Sequence, residues 1–323
     1  MWLMNETYEM NTSSRPSVPN FTLLSRNSNE SENTRSDVLR RLTITSVLLV
    51  FGVLGNTSII LVLRRLKSAT SILTIYMAVF DILSLMSKVL TDVLDYYNTD
   101  NFGYLYCVTM TIPIVAFVAL ANWTLVVICI ERFLSIFLPF HYKSFVSTER
   151  LHVTMATMAC IFTSYAVLFN AMTRTYDEDS NKCIVINISG IMFYIIMNTV
   201  ACVGPCLFST VITILVIVKL HIFQENFKNV NKSKIHQKLE VSLSRIMLCS
   251  SILFNILNLP ETFYFSFFWQ TYRANHVVES FLVFLRDLSH VMNFLVYLIF
   301  VQRIRESFRE IFHRRSRDVW SEI

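Results

Sequence analysis

The chain has 323 residues, of which 54% are hydrophobic and 16% charged; its net charge is +5 and its mean hydropathy +0.49. Soluble domains carry about 25% charged residues, so this composition excludes an ordinary soluble protein and points to a chain that crosses a membrane repeatedly. The basic residues lie between apolar runs and not on one patch, which argues against nucleic acid as a partner.

Residues 1–38 are polar and rich in Asn, Ser and Glu. Four glycosylation sequons, at Asn5, Asn11, Asn20 and Asn29, predict a glycosylated, disordered, extracellular tail. Seven apolar segments follow, at 42–63, 72–94, 107–130, 152–172, 190–218, 241–267 and 277–301. Each reaches the ~20 residues that a helix needs to cross a hydrocarbon layer about 30 Å thick. With the N-terminus outside, the loops at 64–71, 132–151 and 219–240 and the residues from 302 face the cytosol. They carry seventeen Lys and Arg, against three in the loops at 95–106, 173–189 and 268–276. That is the positive-inside bias; Arg40 and Arg41, just outside the first segment, oppose it, and Arg64, Arg65 and Lys67 on its far side outweigh them only slightly. Beyond the seventh segment, Ile304, Phe308, Ile311 and Phe312 recur at helical spacing among basic residues. They predict an amphipathic helix lying on inner-leaflet lipids. The expected architecture is therefore an all-α membrane protein: a tail at 1–38, a seven-transmembrane helix bundle at 39–301, and a short amphipathic eighth helix with a cytoplasmic tail at 302–323.

The third segment gives the bundle its polarity. As a helix, Cys107 to Arg132 spans roughly 37 Å, so its ends reach water on opposite sides. Five cysteines (Cys129, Cys160, Cys202, Cys206 and Cys249) fall inside apolar runs and serve as small apolar side chains. That leaves Cys107 and Cys183, both on the oxidising side, as the natural disulfide pair.

Several polar positions inside these segments carry a resemblance. Gly55-Asn56, the run Ala78 to Asp81, Glu131-Arg132-Phe133 followed by Pro139-Phe140, Pro205, Phe254, Pro260 and the run Asn293 to Tyr297 are similar in kind and place to motifs of rhodopsin-like (class A) G-protein-coupled receptors. The resemblance covers about residues 40–315. It implies that Asn56 and Asn293 satisfy Asp81, a carboxylate whose burial in a membrane costs at least about 2.5–3.5 kcal/mol. It implies that Arg132 is the switch facing a heterotrimeric G protein, paired at rest with Glu131 and with Glu240. Phe140 becomes an apolar knob for that partner, Tyr297 a relay residue, Pro205 and Pro260 helix kinks, and Phe254 an aromatic switch. Family members often hold sodium at this Asp; Ala121 and His290 stand here in place of hydroxyl residues. Other departures are Asn258 for a Trp, Phe294 for a Pro, Asn122 for an apolar residue and Thr213 for a Tyr.

The resemblance also narrows the ligand. Ile114 replaces the Asp of amine receptors, and Asp287 replaces the lysine that holds retinal. Lys88, Asp92, Glu261, Arg286 and Asp287 stand in the outer halves of their segments, where charges mark a ligand or ion path. Their mixed signs suit a peptide, and the chain is most similar to invertebrate neuropeptide receptors of the FMRFamide-receptor-like type. Glu261 and Asp287 are expected to receive an arginine of that peptide. The competing expectation is internal neutralisation, with Lys88 and Asp92 at i, i+4 and Arg286 beside Asp287. Two other classes stay open. A chemosensory receptor for small molecules is separated only by ligand data. A transporter or channel should show internal repeats and Gly-broken helices, and no repeat is visible. With no P-loop, no His-Glu-x-x-His, no Gly-x-Ser-x-Gly and no clustered Cys/His spacing, neither an enzyme nor a cofactor nor a metal is expected.

Overall fold

The computed structural model describes residues 28–64, 68–97, 109–177, 182–185, 196, 199–226, 234–268 and 276–300. The chain divides into two compact units, Met1–Asp37 and Val38–Ile323, and the bundle is the second. Its helices are α1 (Ser28–Leu63), α2 (Ala69–Tyr96), α3 (Thr111–Phe137), the short α4 (Pro139–Phe145), α5 (Thr148–Thr173), α6 (Gly204–Asn226), α7 (Lys234–Phe267) and α8 (His276–Phe300). A π-helical turn, Thr199–Val203, leads into α6, and two strands, β1 (Arg174–Asp177) and β2 (Lys182–Val185), follow α5.

Six of these helices contain a stretch long and apolar enough to cross a membrane: Val38–Leu63, Ala69–Leu94, Thr111–Phe137, Thr148–Thr173, Thr199–Lys219 and Val277–Ile299. α7 carries the remaining predicted segment, so the seven-helix bundle is as expected. Three local features go beyond the sequence reading. α1 begins at Ser28, ten residues before its membrane stretch, where an unstructured tail was expected; lengthening a helix that already exists needs no new nucleus. α4 interrupts a predicted loop, starting at Pro139, where the missing N–H of proline breaks no helical bond. β1 and β2 pair antiparallel, Tyr176 opposite Cys183, and add one small hairpin to the helical bundle. Cys107, Asn5, Asn11, Asn20 and the amphipathic helix expected at 303–312 lie outside the described residues, as do the side chains of Asn29, Cys183 and Glu240.

α3 is the central helix and packs against α2, α5, α6 and α7, while α8 closes against α7 and α2. Consecutive α3 residues Ala119, Leu120, Ala121 and Asn122 are all buried, as a helix surrounded by others requires. The core they join includes Ile59, Leu73, Met77, Cys129, Met155, Val216 and Phe254. Large apolar side chains on the outer faces, such as Leu54, Leu207 and Ile256, are more than half exposed. Lipid accepts these as readily as another helix does, so helix association rests on close packing and polar contacts.

α1 shows the close packing. A Cβ built on Gly52 would stand 2.4 Å from Leu85 Cδ1, and one on Gly55 2.7 Å from Phe294 Cγ and 2.8 Å from its Cβ. Gly55 therefore makes room for Phe294, the residue that replaces proline in α8. Gly55→Val is expected to lower the thermal unfolding midpoint of the purified chain in detergent, through overpacking of about 1–3 kcal/mol. Adding Phe294→Ala should restore part of the loss, and no recovery would show that the ring is not the obstacle.

Candidate functional site

A polar ladder joins α2 to α8. Thr74, Asp81 and Lys88 lie seven residues apart on α2, so they repeat on one face every two turns, roughly 10.5 Å. Opposite them on α8, the Thr74 and Tyr297 hydroxyls are 2.9 Å apart, and Lys88 donates to Asp287. The middle rung is Asp81, 1% exposed. Its Oδ2 accepts Asn293 Nδ2 at 2.9 Å, and its Oδ1 lies 2.7 Å from His290 Nδ1. Asn56 Nδ2 on α1 donates to the His290 backbone carbonyl at 3.1 Å. Asn293 is thus the expected partner of Asp81, whereas Asn56 acts one step away and His290 takes its place at the carboxylate. His290 precedes Asn293 by three residues, hence shares its helix face; that spacing was the available signal. Ala121 brings no side-chain oxygen and His290 sets an imidazole nitrogen against Oδ1, so the hydroxyl ligands of the family's sodium site are missing around Asp81. Among the described residues no three His, Cys, Asp or Glu side chains converge as metal ligands.

The second polar feature repairs a proline. Pro205 has no N–H to offer the carbonyl of Ala201 in α-helical register, nor that of Val200 in π-helical register. α3 supplies both missing donors: Asn122 Nδ2 bonds the Ala201 carbonyl and Trp123 Nε1 the Val200 carbonyl, each at 3.1 Å. The amide at 122 is therefore the natural partner of the π turn. On α7, which contains Pro260, Asn258 turns back to donate to the Phe254 carbonyl at 2.9 Å, and Phe254 is buried. Tyr297 bonds Thr74, while Thr213 lies 4.0 Å from Cys129 Sγ.

At the Arg132 end of the bundle the ionic motif is buried. Glu131 is 2% and Arg132 5% exposed, which excludes two solvated charges at a helix end. Arg132 grips Glu131 with a fork, Nε to Oε2 at 2.7 Å and Nη2 to Oε1 at 3.1 Å. Thr70 on α2 donates to Oε2 at 3.1 Å, and the Tyr142 hydroxyl on α4 donates to Oε1. The carboxylate so accepts four hydrogen bonds from three helices. Neither Thr70 nor Tyr142 carries a mark in the sequence. Phe133 stacks on Phe137 with centroids 4.2 Å apart, and Phe140 on α4 is 95% exposed. The Glu240 contact lies outside the described side chains.

At the Lys88 end, Arg286 Nη1 donates to Glu261 Oε1 at 2.8 Å, and its Nε stands 3.5 Å from Asp287 Oδ1. Lys88 bonds Asp287, not Asp92. Asp92 accepts the Thr45 hydroxyl of α1 at 2.8 Å. The two acids expected to receive a ligand's arginine each already hold a basic side chain across helices, and Asp287 also has Arg286 beside it on α8, as internal neutralisation requires.

With this geometry in hand, the comparisons agree. The family described as 7 transmembrane receptor (rhodopsin family) matches residues 55–299, about three quarters of the chain. No curated protein matches it.

Asn122→Leu should strip the Ala201 carbonyl of its donor and lower stability by about 1–3 kcal/mol. Thermal unfolding of the purified chain measures it. A neutral result would mean that the π turn holds without α3.

Proposed function

Because the chain belongs to the rhodopsin family of seven-transmembrane receptors, we propose that it receives an extracellular neuropeptide and activates heterotrimeric G proteins. It is a multi-pass membrane receptor and not an enzyme. The finer reading places it in the plasma membrane with its N-terminus outside, in agreement with the charge bias and the sequons. A glycosylated tail, a Cys107–Cys183 bridge and an amphipathic helix after α8 belong to the same proposal.

The observation that carries G-protein coupling is the closed latch at the Arg132 end. Arg132 is held inside the bundle by Glu131, which Thr70 and Tyr142 hold in turn. On α4, two residues before Tyr142, Phe140 projects almost fully exposed among the described residues. In this reading the latch keeps Arg132 from the G protein at rest. Opening requires Arg132 to leave Glu131 and α2, α3 and α4 to part at their shared carboxylate. Glu240 on α7 is the proposed second acid for Arg132. A ligand drives the change only by the difference in its affinity for the open and closed states.

Outside the latch, the Lys88 end supports an ionic ligand. Five ionisable side chains from α2, α7 and α8 meet there, and they sit at the opposite end of the α2–α8 ladder from the latch. Their mixed signs suit a peptide that presents both charge and backbone amides.

Nucleotide exchange on purified G proteins, with membranes bearing this chain and a panel of amidated peptides, tests the reading. Exchange should depend on a peptide and vanish with Arg132→Ala. Glu131→Gln, which weakens the fork, should raise peptide-independent exchange roughly tenfold, the effect of about 1.4 kcal/mol on a two-state equilibrium. Glu240→Ala should act in the same direction. If Glu131→Gln and Glu240→Ala both leave basal exchange unchanged, the latch is structural and not a switch.

A further inference from the structure

Among the described residues, the ion pairs at the Lys88 end leave one acid without a cation. Lys88 and Arg286 supply two positive charges, and Glu261, Asp287 and Asp92 supply three negative ones. The two cations are committed: Lys88 to Asp287, and Arg286 to Glu261 and Asp287. Asp92 attracts Lys88 through space but makes no ion pair with it, because the Lys88 ammonium is spent on Asp287. Asp92 is 6% exposed, and its polar contact is the Thr45 hydroxyl at 2.8 Å. Among the described residues no Lys, Arg or His lies within ion-pair distance of it. Lys88, one turn away on the same helix, is turned towards α8. Arg41, one turn from Thr45 on α1, is exposed and likewise makes no ion pair among the described residues.

A carboxylate has about four acceptor positions, and one hydroxyl fills one of them. Burying such a charge without a cation is costly, whereas a buried charge that gains a hydrogen-bonded partner is stabilised. Asp92 also lies only four residues from the end of α2 at Tyr96, roughly 6 Å along the axis. A group entering from that end of the bundle reaches it before it reaches Asp287, which faces α2 one turn deeper at Lys88. Glu261 and Asp287 would have to surrender Arg286 or Lys88 to take an incoming cation; Asp92 surrenders nothing but space.

We propose that Asp92 is the counter-ion for a positively charged group of the extracellular ligand, an ammonium or guanidinium, held between α1 and α2. The proposal deepens the receptor reading at its ligand site, but cation binding itself does not require a G protein. The ligand charge supplies Asp92 with the cation that the described residues do not. Thr45 positions the carboxylate, and Arg41 repels the same cation from α1.

The test is thermal unfolding of the full chain in detergent at neutral pH, without any G protein. The probes are agmatine, amidated arginine-containing peptides, and the same peptides with citrulline, the neutral isostere, in place of arginine. The cationic probes should raise the midpoint in a saturable manner and the citrulline peptides should not. A response to peptides but not to agmatine would place the cation on a peptide side chain; a response to both would assign the site to the cation alone. Asp92→Asn should raise the half-saturating concentration roughly tenfold or more while leaving the ligand-free midpoint unchanged or higher, which also shows that the variant is folded. Arg41→Gln should lower that concentration. Arg132→Ala should bind the probes as the parent does even where exchange is lost, so the ligand site and the signalling reading fail separately. An undiminished shift in Asp92→Asn, equal shifts from citrulline peptides, or no saturable shift from any cationic probe would overturn the assignment.

Discussion

The structure depends on one constraint: a carboxylate, Asp81, sits in the middle of a membrane bundle and must be satisfied by side chains. In hydrocarbon an unpartnered ionised group costs several kcal/mol, so its partners fix how α2 and α8 meet. His290 and Asn293 reach it from α8, three residues apart on one face. Once that rung is set, a two-turn step in either direction brings Thr74 to Tyr297 and Lys88 to Asp287. Asn56 then ties α1 to the backbone of His290 itself. Three helices are thereby placed by polar contacts in a solvent that offers them little other reason to associate.

The residues that depart from the family pattern each find a partner in this bundle. His290 occupies the place of a hydroxyl residue and closes on Asp81. Phe294 replaces a proline, and Gly55 gives its ring the space. Asn122 replaces an apolar residue, and the π turn before Pro205 exposes a carbonyl for it to bond. Asn258, where a Trp is usual, satisfies its amide within its own helix on the Phe254 carbonyl. Seen singly, these substitutions look like lost parts of an activation relay. Together they describe a bundle in which amide and imidazole hydrogen bonds stand at three of the altered positions; such bonds are directional and costly to break without a replacement.

The two functional ends stand at opposite ends of this ladder. The Glu131 carboxylate gathers donors from α2, α3 and α4, so movement of any of the three disturbs Arg132. At the other end, ion pairs cross between α2 and α8 and between α8 and α7. α2 carries Asp92, Asp81 and Thr70, so in the proposed reading it is the one helix with polar contacts at both ends.

Much of this was legible along the chain. Hydropathy located the seven segments, because the length of an apolar run is a local property that a bilayer reads directly. The charge bias of the loops gave an orientation, and the motif residues Asp81, Arg132, Pro205 and Pro260 announced themselves because polar groups and prolines are rare in such runs. Partner choice was legible only in part: Asn293 for Asp81 and Glu131 for Arg132 were expected, the other partners were not. A one-residue change in rotation turns a helix face by about 100°, so which side chain meets Asp81, or whether Lys88 pairs along its helix with Asp92 or across to Asp287, depends on how neighbouring helices are rotated and staggered. Thr70, Thr45 and Tyr142 became partners of buried carboxylates only through that arrangement. The amino-acid sequence by itself determined which helices form and which groups must be satisfied inside the membrane; the tertiary structure decided by whom, because hydrogen bonds between helices are set by register in three dimensions and not by spacing along the chain.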